Sequence, residues 1–182
     1  MNVENADHLA RVRRVFHAAN EYRMAIVVHM HANVDHHGPY GTREAKIFLE
    51  QLLPEAPDVV VQIAHLAGSG GYADPETDAA LFVFVKAIER KDPRMKNVYF
   101  DVCGIAIPGM WEKKADVVVK RIRQIGINRL LYGSDAATAN NLPKDALKRW
   151  HSVPLTQQEF RDIDSNVAPY VRDWLSAAEP QR

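Results

Sequence analysis

Four short apolar runs constrain the fold of this 182-residue chain more than any other feature. They are dense in Val, Ile, Leu and aromatic residues without polar alternation, and they span 24–31, 58–65, 97–104 and 128–135. Strands of this composition are covered on both faces, as in a parallel sheet. The runs recur about every 30 to 40 residues, which is the size of a β/α unit. The pattern therefore predicts an α/β fold with parallel (β/α) units.

The segments between the runs have helical periodicity and carry signals of helix ends. The predicted helices span 7–23, 42–53, 74–91 and 111–126. Asp74 is a candidate N-cap, Pro75 occupies a first helical position, and Gly126 is a candidate helix terminator. Thr156 and Glu159 have the spacing of a capping box. We therefore expect the C-terminal region to be helical and to pack over the last strand.

Composition limits the class of protein. An apolar fraction of 47% and a charged fraction of 25% are typical of globular chains, and 182 residues suit a single domain over 1–182. With 23 basic and 23 acidic residues, the chain lacks the basic excess of a nucleic-acid-binding protein. Its single cysteine cannot form an internal disulfide, and we find neither a standard secretory signal nor an apolar run of roughly 20 residues. These features predict a cytoplasmic protein with no nucleic-acid or membrane partner.

Polar residues gather where the predicted strands end. The end residues are His29 and His31, then His65, then Asp101 and Cys103, and finally Ser134 and Asp135. The carboxyl ends of parallel strands meet at one edge of a sheet, so these side chains are expected near one another. Two imidazoles and a carboxylate, from His29, His65 and Asp135, form a feasible ligand set for a divalent metal such as zinc. A remaining open position could activate water.

Each of these residues also has a purely structural interpretation. A histidine that ends a strand is commonly a hydrogen-bonded group at the mouth of a barrel. His36 and His37, in a polar loop with Gly and Pro, are most simply exposed turn residues. Asp135 could cap a turn, and Asp101 could bond only to a neighbouring strand. The shared position of His29, His65 and Asp135 at one end of the strands favours the metal-site interpretation.

Two other kinds of site are less well supported. The cluster "GSGG" between a strand and a helix could hold a phosphate, but Asp74, Glu76 and Asp78 place negative charge at the start of that helix. Its spacing also matches neither the P-loop nor the dinucleotide fingerprint. Cys103 has no evident base partner, and Ser134 is not in a nucleophile elbow, so nucleophilic catalysis is disfavoured.

The motifs "MAIVVHMH", "VQIAHLAGSGGY", "NVYFDVCG" and "RLLYGSDAA", in this order, resemble the last four strands of the amidohydrolase superfamily. The resemblance is to the amidohydrolase-related metal-dependent hydrolases of TIM-barrel fold, and "LTQQEFRDIDSNVAPYV" resembles their final helix. It implies that His29 ends strand five and His65 ends strand six, as metal or substrate contacts. It implies that Asp135 ends strand eight, contacts the metal and acts as general base. His31 and His36 are then candidate substrate contacts.

The chain departs from that family at one feature. Members open with an H-x-H pair on the first strand, and no such strand precedes residue 24. The resemblance therefore covers strands five to eight, the C-terminal half of a barrel that lacks its first four β/α units. Four strands cannot close a barrel, and their edges would be free to pair. We expect a homo-oligomer or a separate N-terminal half as partner.

Three functions remain open from the sequence. The first is a metal-dependent hydrolase of amidohydrolase type, completed by a partner, that acts on a small carbonyl compound such as an amide or a lactone. Some relatives perform decarboxylation at similar sites. The alternative is a non-catalytic truncated half-barrel that serves as an interaction or relic domain. A third interpretation, an open doubly wound sheet that binds a small ligand, requires helices on both faces of the sheet.

Overall fold

The fold is built on one parallel four-stranded sheet. The computed structural model describes residues 3–30, 41–68, 70–72, 75–109, 112–136 and 142–172. The strands are β1 (Ile26–Val28), β2 (Val61–Ile63), β3 (Val98–Asp101) and β4 (Leu130–Leu131), and their order in the sheet is β1-β2-β3-β4. All three pairings are parallel, as the apolar runs predict.

In the described part of the chain, six α-helices with defined bounds accompany the strands. They are α1 (Ala6–Glu21), α2 (Thr42–Ile47), α3 (Pro75–Glu89), α4 (Ala115–Ile125), α5 (Pro143–Trp150) and α6 (Gln157–Ser165). The chain continues from α2 through a π turn (Phe48–Leu52) and a 3-10 turn (Leu53–Glu55). Further 3-10 turns are Pro93–Met95, Glu112–Lys114 and Ile127–Arg129, and a turn with left-handed backbone, Ala64–Ala67, follows β2. Among the described residues, no helix is both long and apolar enough to cross a membrane.

Several predicted helix ends are confirmed. Pro75 is the first residue of α3, and Gly126, at φ 97°, follows the last residue of α4. The hydroxyl of Thr156 accepts the backbone N–H of Glu159, whose carboxylate accepts the N–H of Thr156, so the capping box is formed. The predicted N-cap Asp74 lies outside the described residues. Local side-chain chemistry was sufficient to locate these ends.

The sheet is singly wound. Each connection steps to the next strand in the same direction, and parallel crossovers are almost always right-handed. The helices α2, α3 and α4 therefore lie on one face, where α3 contacts α2 on one side and α4 on the other. The doubly wound alternative is wrong for the described part of the chain, because the strand order does not reverse.

The core lies between the sheet and the helices. Val28, Ile63, Phe100 and Leu130 are in register on the face that the helices cover. Phe100 packs edge-to-face on Phe84 of α3, with ring centroids 5.8 Å apart. Offset and edge-to-face aromatic pairs add stabilisation beyond the area they bury.

The opposite face of the sheet carries a different set of side chains. Val27, Gln62 and Tyr99 are in register there, and the side chain of Val27 is exposed. Because successive residues of a strand alternate between faces, Asp101 lies on this same face, two residues beyond Tyr99. We refer to the face that carries Val27, Gln62, Tyr99 and Asp101 as the open face.

The strands are shorter than the apolar runs predict. Three of the predicted strands end at residues that have positive φ: His65 at 52°, Gly104 at 62° and Asp135 at 51°. A residue in the left-handed region cannot continue a β-ladder. The ladder therefore stops before these residues, and the polar ends of the runs form turns.

Candidate active site

The turn after β2 has an unusual backbone. His65, Leu66 and Ala67 all have positive φ, at 52°, 49° and 69°. The left-handed conformation costs roughly 1–2 kcal/mol for each residue that has a Cβ. Strain of this kind persists only where surrounding contacts over-determine the backbone, and it concentrates at functional sites. The contacts that hold this turn in place converge on His65.

Two hydrogen bonds fix His65. Its backbone N–H donates to Oδ1 of Asp101 at 2.9 Å, and its ring Nδ1 bonds to the carbonyl oxygen of Cys103 at 2.8 Å. A carbonyl oxygen only accepts, so Nδ1 carries a proton and donates it in this bond, and Nε2 is the ring nitrogen that this bond does not use. A metal-ligating histidine usually donates one ring N–H to a carbonyl or carboxylate and binds the metal through its other ring nitrogen. The Nδ1 contact of His65 matches the first part of this arrangement.

His29 lies directly beside this ring. The ring centroids of His29 and His65 are 5.0 Å apart, with an interplanar angle of 68°. His65 is buried, whereas His29 is exposed. The ends of β1 and β2 thus bring two imidazoles together at the border between protein and solvent.

Asp135 approaches the same region from the end of β4. Its Oδ2 lies 3.6 Å from the point where a Cβ on Gly104 would stand, and Nδ1 of His65 lies 3.7 Å from that point. The two atoms are therefore separated by no more than the sum of these distances. Gly104 has φ +62°, which favours glycine, and a Cβ there would contact both the carboxylate and the imidazole. The structure thus brings His29, His65 and Asp135 to one edge, and their catalytic and metal-binding roles stay predictions.

Asp101 organises the backbone around these groups. Its carboxylate is buried and accepts the N–H groups of His65 and Cys103 and the side-chain N–H of Gln62, the last at 2.8 Å. The carbonyl that receives the proton of the His65 ring belongs to Cys103. Burial, followed by the charge of Asp101, raises the pKa of the Cys103 thiol, which favours its protonated form.

The glycines after β2 make backbone hydrogen bonds and close contacts within the fold, which accounts for them without a bound phosphate. The N–H of Gly71 donates to the carbonyl of Gly104 at 2.8 Å, and the N–H of Gly68 donates to the carbonyl of His65 at 2.9 Å. A Cβ on Gly68 would stand 2.7 Å from a methyl group of Thr77. These glycines therefore permit close approach of the turn to α3 and to the end of β3, and the two amides are already occupied.

A cavity of about 390 Å³ opens beside Asp135 and Gly104. Its wall is largely apolar and includes Ile107, Pro108 and Trp150, while Arg149 supplies a cation. Small-molecule sites are typically concave and apolar with a few polar groups. The cavity has the size and lining for a small organic substrate next to Asp135.

The predicted metal ligands His29 and His65 have adjacent rings, and the Nδ1 atom of His65 is engaged by the Cys103 carbonyl. Among the described residues, no group of three or more His, Cys, Asp or Glu side chains is arranged to hold a metal ion. The candidate substrate contacts His31 and His36, together with His37, lie outside the described residues.

Sequence reasoning did not identify Gln62, Gly104 or Tyr170 as part of this region. Gln62 is a polar residue inside the apolar run 58–65, which is a detectable signal. Gly104 and Tyr170 carry no comparable signal, because their importance depends on contacts with residues far away in the sequence.

A singly wound parallel sheet with polar residues at its carboxyl edge is the arrangement of the β/α-barrel class. Among solved structures, the chain is similar to an amidohydrolase from Burkholderia multivorans with bound zinc, at 13% identity and a TM-score of 0.56. That alignment covers 95% of this chain and 61% of the other. Amidohydrolase 2 from Bifidobacterium longum subsp. infantis is similar at 20% identity and a TM-score of 0.51, over 87% of this chain and 55% of that one.

A 2,6-dihydroxybenzoate decarboxylase from Rhizobium is also similar, at 12% identity and a TM-score of 0.50, over 92% of this chain and 55% of that one. No family model matches the chain, and no curated protein matches it in sequence. The likeness is one of fold, and the chain spans about 55 to 61% of these proteins' length. The parallel (β/α) fold of amidohydrolase barrels, expected from the sequence, is confirmed.

Proposed function

We propose that the chain supplies catalytic residues of an amidohydrolase-type hydrolase that acts on a small carbonyl compound, such as an amide or a lactone. Decarboxylation of a small acid is a related reaction for the same site. The observation that carries the proposal is the convergence of His29, His65 and Asp135 at one edge of the sheet. The adjacent cavity of about 390 Å³ suits a substrate of this class.

A divalent metal, with zinc as the leading candidate, would be held by His29 and His65 near Asp135 and would polarise the substrate carbonyl. The chain's own residues prepare the other parts of the reaction. The bond to the Cys103 carbonyl keeps the proton of the His65 ring on Nδ1 and presents Nε2. Asp135 is exposed beside the cavity, where its carboxylate would accept the proton of an attacking water.

The test combines metal content with turnover. The purified chain, loaded with zinc, is assayed against lactones, anilides and aryl esters, and against a hydroxybenzoate for release of carbon dioxide. We expect Asp135→Asn to lower the rate by at least about 100-fold, as for loss of a general base. We expect His65→Gln to lower zinc content and rate together. The control His17→Gln changes an exposed histidine on α1 and should leave both unchanged. A chain that takes up no metal under any loading condition, and turns over none of these compounds, contradicts the proposal.

A second candidate function is that of a non-catalytic interaction domain. The observation that favours it is that no three-ligand group is present among the described residues. The two functions differ in a thermal-melting experiment. Zinc should raise the Tm of a metal-binding protein and a chelator should lower it, because a ligand of the native state stabilises it by mass action. An interaction domain without a metal site would show neither shift.

A further inference from the structure

A continuous hydrogen-bonded network crosses the open face from the C-terminal segment to His65. The hydroxyl of Tyr170 donates to Oε1 of Gln62 at 2.6 Å, and Nε2 of Gln62 donates to Oδ2 of Asp101 at 2.8 Å. The other carboxylate oxygen of Asp101 accepts the backbone N–H of His65 at 2.9 Å and that of Cys103 at 3.2 Å. The network thus joins residues of β2, β3 and the segment that follows α6.

The direction of every bond in the network is determined by chemistry. A carboxylate accepts and an amide nitrogen donates, so the side chain of Gln62 must turn its nitrogen toward Asp101 and its oxygen toward Tyr170. Burial, together with the charge of Asp101, raises the pKa of the Tyr170 phenol, so this hydroxyl is a donor at neutral pH. Reversing the amide of Gln62 would place its oxygen against the carboxylate of Asp101 and would break that hydrogen bond.

Asp101 does more than link two neighbouring strands, because its carboxylate also binds backbone N–H groups around His65. It binds the N–H of His65, the first residue of the left-handed turn, and the N–H of Cys103, whose carbonyl receives the proton of the His65 ring. Both the backbone and the ring of His65 are therefore held through one carboxylate. Asp101 forms no ion pair within the described part of the chain, and its oxygens are engaged by these N–H groups.

We infer that Asp101 is a positioning residue for His65, and that Gln62 and Tyr170 extend this positioning to the C-terminal segment. The segment near Tyr170 is 108 residues from Gln62 in sequence, yet it contacts the same network. The role of His65 in this inference rests on the proposed function. The consequence for that function is that docking of this segment determines how His65 presents Nε2. The hydrogen bonds themselves can be measured without metal or turnover.

The experiment is NMR spectroscopy of the ¹⁵N-labelled full chain, kept metal-free with a chelator and at a pH where imidazoles are neutral. The signal of His65 is assigned by its loss in His65→Gln. In the wild type we expect a single tautomer protonated at Nδ1. In Asp101→Ala we expect a mixture of tautomers and roughly tenfold faster amide exchange at residues 65 and 103, because an amide bond to a charged acceptor is lost.

A conservative variant separates positioning from general destabilisation. Asp101→Asn keeps an oxygen that can accept the N–H groups of His65 and Cys103, and it should retain most of the Nδ1 tautomer. Tyr170→Phe removes only the hydroxyl that orients Gln62, and it should speed exchange at residue 65 by roughly threefold. The matched control is Tyr99→Phe, which makes the same change on the same face and should leave His65 unchanged.

The inference on Asp101 is overturned if folded Asp101→Ala keeps the tautomer and the amide exchange rate of the wild type. If Asp101→Ala does not fold, the test is the comparison of amide exchange at residue 65 in Tyr170→Phe and in Tyr99→Phe. Equal behaviour of these two variants overturns the link to the C-terminal segment. Because no outcome depends on catalysis, an inactive chain with an intact Nδ1 tautomer would contradict the proposed function and leave this inference standing.

Discussion

Gly133, in the sequence "YGSD", lies against the thiol of Cys103. A Cβ added at Gly133 would overlap Sγ of Cys103, whereas Cβ of Cys103 would be 4.0 Å away, an ordinary contact. Burial raises the pKa of this thiol, and its Sγ packs against Gly133. Gly133 is therefore required by the close approach of β4 to the end of β3.

This packing gives a prediction at the scale of single residues. Gly133→Ala should lower the free energy of unfolding by about 1–3 kcal/mol, because it overpacks the contact with Cys103. In a Cys103→Ala background the same change should cost less than about 1 kcal/mol, since Sγ is gone. Urea denaturation of the four proteins measures both values. If Gly133→Ala lowers the free energy of unfolding equally in the two backgrounds, the Cys103 thiol is not the cause of the destabilisation.

The site residues differ in how far the sequence alone could locate them. His29, His65 and Asp135 were placed at one edge because each ends an apolar run and the ends of parallel strands meet. The role of Asp101 was not predicted beyond a bond to a neighbour. Its partners are assembled by strand register and by Tyr170, and neither is encoded in a local pattern.

At the scale of elements, helix ends were more predictable than strand ends. The capping box of Thr156 and Glu159 and the terminator Gly126 act through their own neighbours in sequence. The segments that follow β2 and β4 contain His65 and Asp135 with a left-handed backbone, which an apolar sequence pattern does not signal. Only tertiary contacts, such as the bond from His65 to Asp101, account for such a turn, so the apolar runs predicted strands that are too long.

The capping box at α6 predicts a pH dependence. The side chain of Arg123 donates to Glu159 at 2.7 Å and, with the N–H of Thr156, lowers the pKa of Glu159 from 4.5 to about 2. A carboxylate whose pKa is depressed on folding stabilises the native state above its ordinary pKa and loses that effect as the pH falls through the lowered value. Glu159→Gln, which can still form the cap, should cost about 1 kcal/mol at pH 7.

That cost should shrink steadily as the pH falls from about 4.5 toward about 2. Urea denaturation of wild type and Glu159→Gln across this range provides the measurement. In an Arg123→Gln background the cost at pH 7 should be smaller, because the charged partner is absent. A difference between wild type and variant that stays constant down to pH 2 would exclude the ion pair as its source.

At the scale of the whole molecule, the sheet of the described residues ends at β1 on one side and β4 on the other. Val27 on β1 is 59% exposed and the nearby Met24 is 61% exposed. Unpaired edge strands with exposed apolar side chains favour association. We propose that the open face and the β1 edge are covered by a second chain, either another copy or a chain that supplies further barrel strands.

If the second chain is another copy, the 182-residue chain self-associates at micromolar concentration. Val27→Lys should weaken this association, because a charged side chain on an edge strand opposes pairing. Val15→Lys is the matched control, since Val15 is 64% exposed on α1. Sedimentation velocity over a concentration series measures the effect. A chain that is monomeric throughout, or equal weakening by both substitutions, would rule out pairing through β1.

The central claim is that His29, His65 and Asp135 share one edge of the sheet, where a single ion or substrate could contact all three. The most direct measurement is a crystal structure of the chain grown with zinc, with anomalous data collected at the zinc edge. We predict one strong anomalous peak within about 2.2 Å of Nε2 of His65 and of a ring nitrogen of His29. An oxygen of Asp135 should lie about 2.0–2.2 Å from that peak as a ligand, or at a hydrogen-bond distance of about 2.6–3.2 Å from a water beside it. A zinc-free edge with the three side chains directed to different faces would contradict the claim.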